Sequence, residues 1–186
     1  MQLTARDFLR LTEAANTICF FDLESTGLKG DYNSVLCVSV LPYKADRATS
    51  FCIERPGIDV KVVREARDYL STFDCWVSYY GKGFDFPMIN TRLLRWGLEP
   101  LKRKPHIDLY YSLKSNLNTS RRSQAHLLTW LGTPEQKMSV GADRWNQVLA
   151  DPVTHMKVMK KRCESDCKGL RDLYKKTSHL ISDIKA

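Results

Sequence analysis

Three short apolar runs, residues 18–23, 35–41 and 50–54, follow one another with gaps too short to hold a crossover helix. Each has the length of a strand and is rich in Val, Leu, Ile, Phe or Cys. The first gap carries Gly27, Gly30, Asp31 and Asn33, and the second Pro42, Asp46 and Arg47, all suited to turns. Parallel neighbours need a connection of roughly a dozen residues or more, so these three strands are expected to run antiparallel. The pattern then changes. A helix-like stretch at 59–71 leads into a fourth apolar run, 75–80. PMINTRLLRWG reads as a helix ended by Gly97, PHIDLY as a further edge strand or its exit, and helices are expected near 107–116, 123–131, 143–150 and from 152 onward. The expected architecture is α/β: one mixed sheet, three antiparallel strands followed by strands joined through helices.

The chain has 186 residues, enough for one domain with a sizeable core, and is read as a single domain over 1–186. No apolar stretch reaches the roughly 18 to 20 residues that cross a bilayer, so no membrane association is expected. The start, MQLTARDFLRLTEAAN, lacks the pattern of an export signal. A reducing, cytoplasmic compartment is the expectation, cellular or viral, and the protein is expected to be a monomer. The six cysteines agree with it: Cys19, Cys37, Cys52 and Cys75 lie inside strand-like runs, Cys163 and Cys167 stand four apart on a helix, and no spacing matches a zinc site. Free thiols are expected.

The net charge is +8, and it is unevenly spread. Between Thr91 and Trp130 eight basic residues, Lys102, Arg103 and Lys104 among them, face only Glu99 and Asp108. Such a stretch is either a solvated surface or a polyanion-binding face.

Three places carry candidate chemistry. Asp22 and Glu24 are two apart at the end of the first run, so on a strand they project to the same side. Asp85 follows the Gly-rich turn of YYGKGFDFPMI, just before a helix starting near Pro87, where read alone it is a helix cap. In the last helix Met156, Met159, Cys163, Cys167, Leu170, Tyr174, Leu180 and Ile181 form an apolar stripe, and Asp166 lies on its edge. Carboxylates gathered at one place repel one another and take up protons unless a multivalent cation balances them. Oxygen donors of this kind suit Mg2+ or Mn2+.

D22-L-E24-S-T-G-L, then G-x-G-F-D85-F-P, then D166 on the last helix resembles the DEDD superfamily of 3′-to-5′ exonucleases, which have a ribonuclease H-like fold. YYGKGFDFPMINTRLL with HIDLYYSL is most similar to the branch containing the proofreading domains of family B DNA polymerases and their stand-alone relatives. The resemblance implies two divalent cations, one held by Asp22, Glu24 and Asp166, the second by Asp22 with Asp85, partly through water. It implies that Thr26, with Gly27 in the same motif, touches the 3′ end, and that Leu28 is an apolar wedge against the last base. Tyr80 stands where that branch usually has Asn. A Tyr four before the last Asp, or a His five before it, normally orients the attacking water; here those positions hold Arg162 and Lys161. Arg162 falls one turn from Asp166, within reach of the site, and cannot act as a base. His155 lies about 16 Å away along the helix and does not substitute.

The activity implied is metal-dependent hydrolysis at the 3′ end of a single strand, with DNA favoured by the polymerase-like branch and RNA as the alternative. A catalytically weak binding module of the same fold, and an endonuclease, are the competing expectations. Lys102, Arg103 and Lys104 are expected to guide the strand; Trp96, Tyr110 and Tyr111 are candidate stacking surfaces, although each ring taken singly reads first as core packing.

Overall fold

The computed structural model describes residues 4–181. Strands β1 (Ile18–Ser25), β2 (Val35–Pro42) and β3 (Thr49–Cys52) run antiparallel in succession, and β4 (Cys75–Ser78) and β5 (His106–Asp108) extend the sheet parallel to β1. The order β3-β2-β1-β4-β5 leaves β1 at the centre. Around the sheet lie α1 (Ala5–Ala15), α2 (Val60–Leu70), α3 (Asp85–Arg95), α4 (Leu109–Lys114), α5 (Gln124–Trp130), α6 (Ala142–Ala150) and α7 (Pro152–Thr177). The mixed α/β architecture is the one the sequence implies.

A central strand is covered on both faces, and β1 is apolar on both until its last residues. Phe20 and Phe21, on opposite faces, are fully buried, each contributing roughly 1.5–3 kcal/mol of transfer free energy. Phe21 and Leu23 share a core cluster with Val63 of α2 and Ile89 of α3. The other face carries α7. Ser39 and Cys37 of β2, the cross-strand partners of Asp22 and Glu24, share that face with them. Cys163 Sγ donates to the Asp22 carbonyl at 3.1 Å and Cys167 Sγ to the Ser39 carbonyl at 3.2 Å, which fixes the last helix over the end of the central strand. All six cysteines are free thiols.

Buried Asp59 ties three elements together. It accepts from Val35 N at the start of β2, from Nε and Nη2 of Arg92 on α3, and from Trp96 Nε1. Trp96 is anchored by this network, with the Arg92 guanidinium 5.8 Å from its ring centroid, and the residue stays 36% exposed.

Other local differences have plain causes. The fourth strand stops at Ser78 instead of residue 80 because Tyr80 adopts φ 65°, which no strand accommodates. The last helix ends at Thr177, and Leu180 falls in a following 3-10 turn. Helix α1 had no counterpart in the sequence reading, although Thr4 caps it, accepting from Asp7 N, in the pattern of a capping box.

Candidate active site

Asp22 and Glu24 project from the carboxyl end of β1 toward α7, and the stripe of α7 brings Asp166 to meet them. One carboxylate oxygen from each of the three lies within 4.8 Å of the others. Glu24 and Asp166 are buried, 7% and 2% exposed, and Asp22 is partly exposed at the mouth. Asp85 stands beside this trio and outside it. It is the first residue of α3, not a cap before it, and its Oδ1 accepts from Leu23 N at 3.1 Å, between the two acids of β1. Its second oxygen borders Gly81, where an added Cβ would stand 3.4 Å from Oδ2.

Burial raises the pKa of every member. Asp22 is pushed well up, first by desolvation and then by Asp85, Asp166 and Glu24. Glu24 is pushed up to about 7 by desolvation, against the opposing pull of Arg162. Asp85 is also pushed up to about 7 by desolvation, against hydrogen bonds from its own and the Leu23 backbone N–H. Asp166 is raised by burial, against Lys137 and Arg162.

Two side-chain cations cover the acids. Lys137 Nζ lies 2.9 Å from Asp166 Oδ2, and Arg162 Nε lies 2.7 Å from Glu24 Oε1 and 4.0 Å from Asp166 Oδ2. The Arg162 contact is an ion pair by proximity, since its Nε–H is not directed at an acceptor. The Trp145 ring of α6 lies 5.6 Å from the guanidinium carbon and backs it as a cation–π partner. Even with these cations, Asp166 Oδ1 is buried with no hydrogen-bond partner. An orphaned carboxylate oxygen among hard oxygen donors fits a divalent cation of the Mg2+ or Mn2+ class.

The raised pKa values set a pH dependence. Glu24 and Asp85 titrate near 7 when folded without metal, against about 4 when unfolded. Between those values the folded state holds more protons, so the stability they contribute is complete below about pH 4 and lost as pH rises through about 7. The groups facing them are Asp22, Asp166, Lys137, Arg162 and Asp108. Metal-free protein is expected to melt at lower temperature at pH 8 than at pH 6, with Mn2+ adding more to the melting temperature at pH 8. Differential scanning fluorimetry checks this; a Mn2+ increment independent of pH would contradict it.

The motif after β1 builds a rigid turn. The Thr26 hydroxyl donates to Asn33 Oδ1 and accepts from Ser34 N, so it is committed to the turn. A Cβ at Gly27 would stand 2.5 Å from Asn33 Oδ1, so a side chain there would push Asn33 out of its bonds to Thr26 and to the Lys29 carbonyl. Leu28, held out by this turn, is 78% exposed.

The basic triplet lies elsewhere. Lys102, Arg103 and Lys104 precede β5, and Lys104 Nζ donates to the carbonyls of Ser71 and Phe73, just before β4. They sit at the amino end of the parallel strands, whereas the acids sit at the carboxyl end. This corrects the expectation that the triplet guides a strand to the acids: nearness in sequence to the site motifs does not give the same end of the sheet. Sequence reading also missed Lys137, which lies in an irregular segment with no periodicity to place it.

The family profile described as the RNase_H superfamily matches residues 19–177. The chain belongs to the RNase_H superfamily. The matched span takes in four strands whole, β1 from its second residue, and all four acids. The Bacillus subtilis (strain 168) protein YprB, described as uncharacterized, is 33% identical over 131 residues, 66% of this chain and 29% of that protein. The family B DNA polymerase of the archaeon Pyrobaculum calidifontis superposes with a TM-score of 0.70 at 18% identity, over 87% of this chain and 24% of the polymerase. The chain thus spans under a third of the length of either protein. The polymerase likeness is one of fold, and it agrees with the resemblance to the DEDD branch. Family membership gives the chain an RNase H-like fold, and on that fold Asp22, Glu24 and Asp166 form a cluster whose oxygen donors could hold a divalent cation.

Proposed function

We propose that the chain is a 3′-to-5′ exonuclease that removes nucleotides from a single strand, with DNA favoured over RNA. The observation that carries this reading is the convergence of Asp22, Glu24 and Asp166, with Asp85 adjacent, beside a turn that presents Leu28 to solvent. Asp22, Glu24 and Asp166 would hold one divalent ion, and Asp22 with Asp85 a second. Bound there, Mg2+ or Mn2+ supplies Lewis-acid stabilisation of phosphoryl charge and lowers the pKa of an attacking water.

The chain's own residues do the rest. Leu28 is an apolar wedge against the terminal base, and Thr26 and Gly27 serve it by locking the turn rather than by a free hydroxyl. The wedge leaves little room for strand to continue past the cut, which favours an end over an internal bond. A guanidinium cannot serve as a base, so the role of Arg162 is electrostatic: braced on Trp145, it would stabilise phosphoryl charge. Lys137 supplies a second positive charge at the same edge.

The ion pairs also favour a second reading, in which Lys137 and Arg162 neutralise the acids permanently and the fold only binds strands. The deciding experiment uses 5′-labelled linear single strands of DNA and RNA, with circular DNA alongside, in Mg2+ and in Mn2+. The exonuclease gives a ladder shortening from the 3′ end and leaves the circle intact. Intact linear strands in both metals would establish the binding module, and a cut circle would establish an endonuclease.

A further inference from the structure

A cluster of tyrosines lies next to the acids, and the metal chemistry does not use it. Tyr79 and Tyr80 follow β4, and Tyr110 and Tyr111 open α4. Tyr80 packs edge-on to Tyr110 with ring centroids 5.1 Å apart and lies 5.9 Å from Tyr111 at an interplanar angle of 30°. Tyr110 and Tyr111 meet edge to face at 5.2 Å. Rings gathered this way usually fill a core, yet Tyr80 is 45% and Tyr111 44% exposed.

The cluster is built at a cost in backbone conformation. Tyr80 holds φ 65°, a region bulky residues rarely occupy and one Asn tolerates far better. Asp108, buried at the end of β5, keeps it there: its carboxylate accepts from Tyr80 N at 2.8 Å, Lys82 N at 2.9 Å and Tyr110 N at 3.1 Å, joining both halves of the cluster to one group. Gly83 lets the Tyr80 ring lie against its backbone, since an added Cβ there would stand 2.6 Å from Tyr80 Cζ. Non-glycine strain of this kind persists where surrounding contacts enforce it and marks functional positions.

Location and charge identify the occupant. Gly81, the next residue, borders Oδ2 of Asp85. Lys82 is in the same turn, and from Leu109 to Ser123 the chain carries Lys114, Arg121 and Arg122 with no acidic residue. The Tyr79 hydroxyl donates to the Arg122 carbonyl, which ties that basic segment to the cluster. Half-exposed rings with basic residues in the adjoining segments suit an unpaired nucleobase with its phosphates.

We infer that Tyr80 and Tyr111 form a stacking platform for one base of the bound single strand, a specificity element for unpaired over duplex nucleic acid. This rests on the exonuclease reading for the strand's presence, and adds to it where a base is held. The basic residues that serve the strand are then Lys82, Lys114, Arg121 and Arg122, not the triplet at the far end of the sheet.

The test uses Asp22→Asn protein, so that strands bind without being cut, and single strands carrying one abasic nucleotide at successive positions from the 3′ end. Affinity is read by fluorescence anisotropy. One abasic position is expected to weaken binding about 5- to 100-fold. That penalty should vanish in Tyr80→Asn and in Tyr111→Ala, and persist in Tyr80→Phe. Asn suits the backbone at residue 80, so loss of the ring is separated from loss of folding. An abasic profile unchanged by Tyr80→Asn and Tyr111→Ala would overturn the platform and leave the exonuclease reading standing. Failure to bind any strand, in the Asp22→Asn protein and in the unmodified protein alike, would overturn both.

Discussion

Asp22→Asn is expected to lower phosphodiester cleavage by about a thousandfold or more while making the metal-free protein more stable. Asp22 is the one acid assigned to both cation positions, and loss of several kcal/mol of charge stabilisation in the transition state corresponds to that order of rate. The stability effect has the opposite sign because Asp22 is raised by desolvation and then by three neighbouring acids, so its charge opposes folding without metal. Asparagine keeps the shape and removes the repulsion. Melting temperature in EDTA should rise by a few degrees, at roughly 2–4 °C per kcal/mol for a chain of this size. Single-strand binding should stay within about threefold, because phosphate contacts to basic side chains supply most of it. Cleavage near the unmodified rate would remove Asp22 from the chemistry, and a fall in metal-free stability would show that its charge is compensated.

Lys137→Met should do the reverse in the absence of metal. Its ammonium is the nearest partner of Asp166, 2.9 Å away, and lies close enough to Asp22 to oppose its raised pKa. Breaking a buried pair by removing one partner costs about 3–5 kcal/mol; the Lys137 side chain is 30% exposed and Asp166 can take up a proton, so about 1–3 kcal/mol is expected here. The same change removes a competing positive charge from the place a cation would bind. Affinity for Mn2+ should tighten by at least about tenfold. Melting curves in EDTA and calorimetric Mn2+ titration check the two halves. Unchanged Mn2+ affinity would show that the ammonium moves clear of the cation position at no cost.

What could be read from sequence follows from periodicity. The strand period of two put Asp22 and Glu24 on one face, and the helix period put Asp166 on the edge of a buried stripe, so these three could be brought together from their own surroundings. Asp85 was harder, because its position before Pro87 is equally that of a cap; its use on Leu23 N depends on how α3 meets β1. Lys137 was not legible at all: it sits in an irregular segment, and a lysine there looks like any solvated lysine. Tyr80 was visible as an unusual residue for its position, whereas its left-handed backbone depends on Asp108, 28 residues away. The basic triplet shows the converse limit, since charge is evident in a sequence and the end of the sheet it occupies is not.

The most direct measurement is anomalous diffraction from crystals soaked in Mn2+ near pH 8. We expect anomalous density bounded by the carboxylates of Asp22, Glu24 and Asp166, with Lys137 displaced from Asp166, and a second peak between Asp22 and Asp85. A map with no anomalous density among these carboxylates, or with Lys137 still seated on Asp166 at saturating Mn2+, would contradict a divalent-metal centre here.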